Sequence, residues 1–364
     1  MSLSRTLEVK KARKRTDVKS ALSHIFSARA FTIVLLLVFA GLMIAKPSFY
    51  LDATRRGLSL YATTVLPSLF PFYFVALMLT RVGAAKTLSV LFEKPMRKLY
   101  LSPKESAYVL VLSMLSGYPV GASCLAELYK MGAVSQADVQ RVSAFTSTSG
   151  PIFMLGTVGS AIFDNVTVGI IVLISHYLGA LLNGFLYSRR RNLERIKSDD
   201  NKAYSDKSCA KDYATANGRT KGAYENIDVA LSESVARSTT SMLTLGGYIV
   251  LAGLIVDTMN LAGIRQAFQR LFGDGSQIAV SLLYGMIEMT RGSIECAKCA
   301  SLPLGVATCC GIVSFGGLSV IMQTYSFLSV THLKLGQLLA RKATQAAISF
   351  LIALGLSFAL QNAL

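Results

Sequence analysis

Residues 285–293 read GMIEMTRGS. Inside an apolar run they place a carboxylate, Glu288, three positions before a guanidinium, Arg291, with the Thr290 hydroxyl between them. A charge at membrane depth is costly and marks a functional site by default. Glu288 is suited to hold a coupling cation, to carry a proton, or to accept a hydrogen bond from a solute N–H or O–H. The competing reading is an ion pair with Arg291 on one helix face. Arg291 itself suits bidentate capture of a carboxylate, or a gate latch if it pairs with Glu288.

Three other stretches offer polar groups in apolar surroundings. In SGYPVGA (116–122), Gly117, Pro119 and Gly121 allow the chain to reverse, while Tyr118 can stack on a ring or fill a cavity mouth. In STSGP (147–151), Ser147, Thr148, Ser149 and Gly150 expose hydroxyls and N–H groups before Pro151, which suits the first turn of a helix. Ser314, Gly316, Gly317 and Ser319 of SFGGLS repeat that composition. Such groups make a cradle for an anion or polar solute. Close helix packing through small residues explains any one of them equally well.

Other reactive types read as structural. His176 lies in an apolar span and is expected to make an interhelical hydrogen bond. Glu127 is expected near the cytoplasmic interface, and Glu295 beside Lys298. Cys296, Cys299, Cys309 and Cys310 resemble a metal set only in spacing; with no His near, they read as small apolar residues of packed helices. No Walker A, HExxH or GxSxG pattern occurs, and three His give little acid–base machinery, so an enzyme is the least favoured class.

The elements that must position these groups are membrane helices. The chain has 364 residues, 52% hydrophobic and 16% charged, with mean hydropathy +0.48. Soluble domains carry about a quarter charged residues. The runs 31–45, 168–187 and 346–360 contain no Asp, Glu, Lys or Arg, and a bilayer core takes about 20 apolar residues per helix. The pattern predicts spans over 31–46 and 58–80, the latter kinked by Pro67 and Pro71, with a short outer loop between them. A helix–break–helix follows over 105–130, then a crossing over 135–163 broken at 146–151, and a span over 165–187. After a mixed-charge segment, 188–230, come a span over 238–257 and an amphipathic stretch, 264–272. Next are 277–300, broken around 288–293, and 302–330, broken at 314–319. A basic amphipathic stretch at 333–342 precedes a last span over 344–361. The basic lead-in and the lack of a cleavage site favour a retained first helix over a signal peptide.

The net charge of +17 raises nucleic-acid binding. Its distribution answers differently. Segments 1–30, 81–104, 130–141, 188–237 and 331–342 hold 30 of the 37 Lys and Arg, against five in 46–57 and 258–276. That asymmetry is a topology signal with these segments cytoplasmic. It holds only if 105–130 enters and returns on one side. A re-entrant hairpin, a broken crossing and a full crossing then occur twice, and the second set is inverted. Unpaired backbone groups cost several kcal/mol each in lipid, about the full penalty of an unmet polar group. Four interruptions are tolerable where they line an enclosed wet site, as at the midplane of secondary transporters.

The stretches SGYPVGA, STSGPIFMLGTVG (147–159), GMIEMTRGS and SFGGLSV together resemble the YlbJ-like sporulation integral membrane proteins of the nucleoside recognition (Gate) domain family, over about 50–360 without the linker. That family is similar in plan to concentrative nucleoside transporters and is associated with moving dipicolinic acid. The resemblance implies a transporter for a small anionic or heterocyclic solute.

The expected fold is therefore an all-α polytopic membrane protein, an inverted repeat with about seven crossings, two re-entrant hairpins and a cytoplasmic N-terminus. Its parts are a basic tail (1–30), two N-terminal transmembrane helices (31–80), a first repeat (81–187), a polar tether (188–236), and a linking helix with the second repeat (237–364). The expected function is secondary transport of a dipicolinate-like or nucleoside-like solute, with a channel or a non-transporting sporulation scaffold as alternatives. The expected partners are the solute and the lipid bilayer, with no nucleic acid and room for a homo-oligomer. No cofactor is expected beyond a coupling ion, Na+ or H+.

Overall fold

The computed structural model describes residues 28–82, 92–198 and 227–360. The basic tail and most of the polar tether lie outside the described residues. Among the described residues every regular element is helical. The chain divides into two units, 1–55 and 56–364.

Helix α1, Ala28–Ala45, is apolar on all sides. Pro47 opens α2, Pro47–Leu60, and the chain bends there by 104°. Proline suits a first helical turn because its missing N–H would have no intrahelical partner. The expected outer loop at 46–57 is thus helix. Its apolar residues Phe49, Tyr50, Ala53, Gly57 and Leu60 recur at helical spacing, which outweighs the local charge of Asp52, Arg55 and Arg56. A π-helical turn, Tyr61–Val65, leads into α3, Leu66–Arg81, which retains Pro71 in its interior.

Beyond α4, Glu93–Leu99, two short helices form the first hairpin: α5, Glu105–Ser116, and α6, Val120–Lys130. The turn is Gly117-Tyr118-Pro119, with Gly117 at φ +80° and a cis Tyr118–Pro119 bond. A Cβ on Gly121 would lie 2.7 Å from the Ser113 Cβ, which shows how closely α5 and α6 approach. Ser135 and Asp138 form a capping box on α7, Gln136–Val142. The chain then runs without helix to Pro151, where helix resumes into a π-helix, Phe153–Ile162.

Helix α8, Val166–Ser198, and α9, Ile227–Leu261, both extend into the segment expected to be a tether. Good helix formers (Arg, Leu, Glu, Lys in 189–197; Ala, Leu, Glu in 230–236) let an established helix propagate beyond its apolar run. The amphipathic α10, Ile264–Phe272, falls where expected. The second hairpin is α11, Ser276–Ile287, and α12, Met289–Cys296. Its break is one residue, Glu288, at φ −145° and ψ 120°, so Arg291 to Ser293 are helical rather than part of the turn. Helices α13, Leu302–Phe315, and α14, Gly317–Leu328, are divided at Gly316, φ +87°. The last helix, α15, Leu335–Ala359, is continuous through the two stretches expected to be separate.

Two apolar clusters hold unit 56–364 together. One joins α3 to α7 with α9, α14 and the start of α15; the other joins the π-helix with α8, α12, α13 and α15. Outward, α8 exposes Ile170, Ile174, Leu178, Leu182 and Leu186, a stripe four residues apart. An apolar stripe on the outside fits a hydrocarbon solvent. Among the described residues four helices are long and apolar enough to cross a membrane, or five with α1 and α2 taken as one bent span. The protein is a multi-pass integral membrane protein.

Candidate functional site

The four interruptions come together. A cavity of about 30 Å³ is lined by Tyr118 of the first hairpin, Ser149 and Gly150 of the first broken segment, Glu288 and Thr290 of the second hairpin, and Ser319 of α14. Apolar side chains, Leu69 and Ile249 among them, close it. Its volume admits about one water. A larger surface depression, about 560 Å³ beside Arg97, Lys104 and Arg141, contains none of the expected site residues.

Glycine makes this convergence possible. A Cβ on Gly117 would lie 2.5 Å from the Gly150 N, so the first tip touches the first broken segment backbone to backbone. On the other side a Cβ on Gly317 would lie 2.9 Å from the Gly285 O and 3.2 Å from the Met289 N. Gly117, Gly316 and Gly317 all have positive φ, where a side chain would be strained. Within the second hairpin, Gly292 meets the Gly285 Cα as Gly121 meets Ser113 in the first.

Glu288 is 2% exposed, and its two carboxylate oxygens accept the backbone N–H groups of Thr290 (3.0 Å) and Arg291 (2.8 Å). It is the N-cap of α12, whose first N–H groups have no intrahelical acceptor and attract negative charge. The side-chain ion pair of the competing reading, between Glu288 and Arg291, is therefore not formed. Arg291 turns away to the Asp257 carboxylate, 3.3 Å, which also receives Arg56 at 3.1 Å. The carboxylate is already engaged by backbone donors, and Asp257 on α9 supplies a charge the guanidinium can reach.

Behind the cavity lies a polar network. His176 Nε2 accepts the Ser149 N–H at 2.9 Å, so the proton sits on Nδ1 and is donated to Ser314 Oγ at 2.7 Å. One neutral imidazole thus spans the two broken segments, the interhelical role its apolar surroundings suggest. The Thr148 hydroxyl donates to the Ser113 carbonyl, 2.7 Å, and Ser147 Oγ lies 3.4 Å from Thr324 Oγ1. Tyr118 Oη donates to the Val313 carbonyl at 3.1 Å, tying the first tip to α13.

Of the expected residues, Tyr118, Ser149, Gly150, Glu288, Thr290 and Ser319 face the cavity. Gly117, Pro119, Gly121, Ser147, Thr148, Ser314, Gly316 and Gly317 shape the backbone behind it, and Arg291 points to Asp257. Glu127 pairs with Arg237, and Glu295 with both Lys298 (2.8 Å) and Arg265 (2.7 Å). Cys296, Cys309 and Cys310 are buried in the core. Among the described residues no three His, Cys, Asp or Glu side chains converge as metal ligands do.

The sequence reading missed three residues. Asp257 falls at the end of the span expected over 238–257. Gln323 on α14 is 3% exposed, and neither its amide oxygen nor its nitrogen has a hydrogen-bond partner. Lys342 falls in the basic stretch expected to be cytoplasmic, yet it is 2% exposed and contacts the first tip. The signal was there in α15: Leu338, Arg341, Lys342, Gln345, Ser349, Ala353 and Ser357 recur at helical spacing and form its buried face. That helix is polar inward and apolar outward, the reverse of a soluble helix, as an enclosed polar site in lipid requires.

The sporulation integral membrane protein YlbJ of Bacillus subtilis (strain 168) is 30% identical to this chain over 311 residues, which cover 82% of this chain and 75% of that protein. No family model matches the chain, and no solved structure matches it.

Proposed function

The chain belongs to the family of YlbJ sporulation integral membrane proteins, and from that premise we propose that it is a secondary transporter of a small polar or anionic solute. The site lies between two hairpin tips and two broken helices. The observation that carries this reading is the single cavity that residues from all four interruptions line. A protein that merely packed small residues closely would gain nothing from bringing four breaks to one place. The paired contacts, Gly121 with Ser113 and Gly292 with Gly285 inside the hairpins, Gly117 with Gly150 and Gly317 with Met289 between hairpin and break, support an inverted repeat. The crossings of α8, α9, the α13–α14 pair and α15, with the two hairpins dipping in from opposite sides, belong to the same reading.

A cavity of about 30 Å³ is a closed state. A dipicolinate-like or nucleoside-like solute needs several-fold more room, so the tips must part. Once open, the site offers the Ser149 and Ser319 groups and the Tyr118 ring for stacking, and the unmet amide of Gln323, four residues on from Ser319 along the same helix, is the nearest group to join them. Its family is that of a sporulation membrane protein, and in this reading the solute moves during sporulation.

The test is uptake into proteoliposomes of dipicolinate against uridine, with and without ion gradients. Flux of either that Glu288→Gln abolishes supports the reading. Flux unchanged in that variant removes the site assignment, and no flux of any solute leaves the scaffold role as the better account.

A further inference from the structure

Lys342 is the buried charge the transport reading does not use. Its Nζ lies 3.0 Å from Tyr118 Oη, 2.7 Å from the Ser147 carbonyl and 3.1 Å from Gln345 Oε1. The Ser147 carbonyl and Gln345 Oε1 can only accept. Tyr118 Oη gives its own proton to the Val313 carbonyl, so it too accepts from Lys342. Three acceptors match the three N–H donors of an ammonium, and a neutral amine has only two to give. The arrangement suits the ammonium form. Among the described residues no carboxylate lies within ion-pair distance of it. The groups it contacts, Tyr118, Ser147 and Gln345, are neutral. The Tyr118 ring adds its face, 4.9 Å from Nζ to the centroid.

An ammonium meant to receive an anion would keep donors free and face the cavity. Lys342 does neither, since all three donors are engaged and it stands behind Tyr118. What surrounds it is the donor set of a monovalent cation: a carbonyl of unwound chain, a side-chain amide oxygen, a hydroxyl and an aromatic face. Carbonyls freed at helix interruptions are the groups that hold coupling ions in transporters built from broken helices. We propose that Lys342 is a built-in cation, its ammonium filling a monovalent-cation site made by Tyr118, Ser147 and Gln345, so that the protein holds its first hairpin tip without a sodium ion. This rests on the transporter reading for its meaning, and it deepens that reading by excluding sodium at this position.

The physical test needs no solute. The full chain is purified in detergent and melted in sodium chloride and in choline chloride at equal ionic strength. Wild type should melt at the same temperature in both. Lys342→Ala leaves the oxygens and a space, and its melting temperature should rise saturably with sodium. Lys342→Met fills the space without a charge and should gain nothing from sodium. Lys342→Ala that is equally stable in both salts, or unfolded in both, overturns the proposal, as does a sodium response in wild type or in Lys342→Met. Flux of dipicolinate and of uridine is measured in proteoliposomes of the same protein. Absence of all flux with the sodium response of Lys342→Ala intact would instead sink the transporter reading and leave the cation site standing.

Discussion

At the scale of single residues, burial and hydrogen-bond supply separate the groups that hold the structure from those the proposed transport would use. Glu288 belongs partly to both. Glu288→Gln keeps the shape but leaves one oxygen to serve two backbone donors at 3.0 and 2.8 Å. One buried N–H loses its partner, about 1–3 kcal/mol. The variant should melt lower in detergent, by an amount that a chemical denaturation curve would measure. Gln323 is the opposite case, because its amide has no partner to lose. Gln323→Leu removes an unmet polar group, so stability should hold or rise by up to about 1–3 kcal/mol while solute flux falls. A drop in stability with flux unchanged would make Gln323 structural.

At the scale of elements, helix breaks and close approaches depend on residues without side chains. Neighbouring glycines of α9 make the point. A Cβ on Gly246 would lie 2.8 Å from the Tyr61 ring, whereas one on Gly247 meets nothing within 4 Å. Gly246→Ala should push α9 off the π-turn Tyr61–Val65 and destabilise by about 1–3 kcal/mol, the usual cost of overpacking. Gly247→Ala should stabilise by up to about 1 kcal/mol through helix propensity. Melting the two variants side by side checks both signs. The breaks at 117–119, 146–150 and 316 were legible because Gly, Ser and Pro interrupt apolar runs. The break expected around 288–293 falls at Glu288, its first residue, and is narrower than the stretch suggests, since a lone extended residue between helices has no composition of its own. The continuity of α15 was hidden because basic residues at 341 and 342 imitate a membrane boundary.

At the scale of the molecule, distant elements are tied by few charges. Asp257 on α9 holds Arg291 of α12 and Arg56 of α2. The Arg291 side chain is 24% exposed and that of Arg56 is 53% exposed. Solvent screening weakens the more exposed pair, to about 0–1 kcal/mol for a surface bridge. Arg291→Ala should therefore cost more stability than Arg56→Ala. Asp257→Asn should cost more than either, because it leaves two cations unpaired. Equal losses in the two Arg variants would mean that the Arg56 contact is as well shielded as the other.

Membrane character, the order of helices and the four interruptions follow from the sequence alone, because apolar runs of bilayer length and Gly-Pro breaks are local properties that no partner can alter. The likeness of SGYPVGA, STSGP, GMIEMTRGS and SFGGLSV to the YlbJ family was legible for the same reason. Which side chains meet is not local. Arg291 had two carboxylates to choose from, and only the folded chain brings Asp257 to it while Glu288 caps its own helix. Lys342 reads as a surface charge until α15 is packed against α8 and α13, when its helical face is seen to point inward onto Tyr118. The partner of a charge is decided by distance in space, and spacing along the chain carries that distance only within one helix.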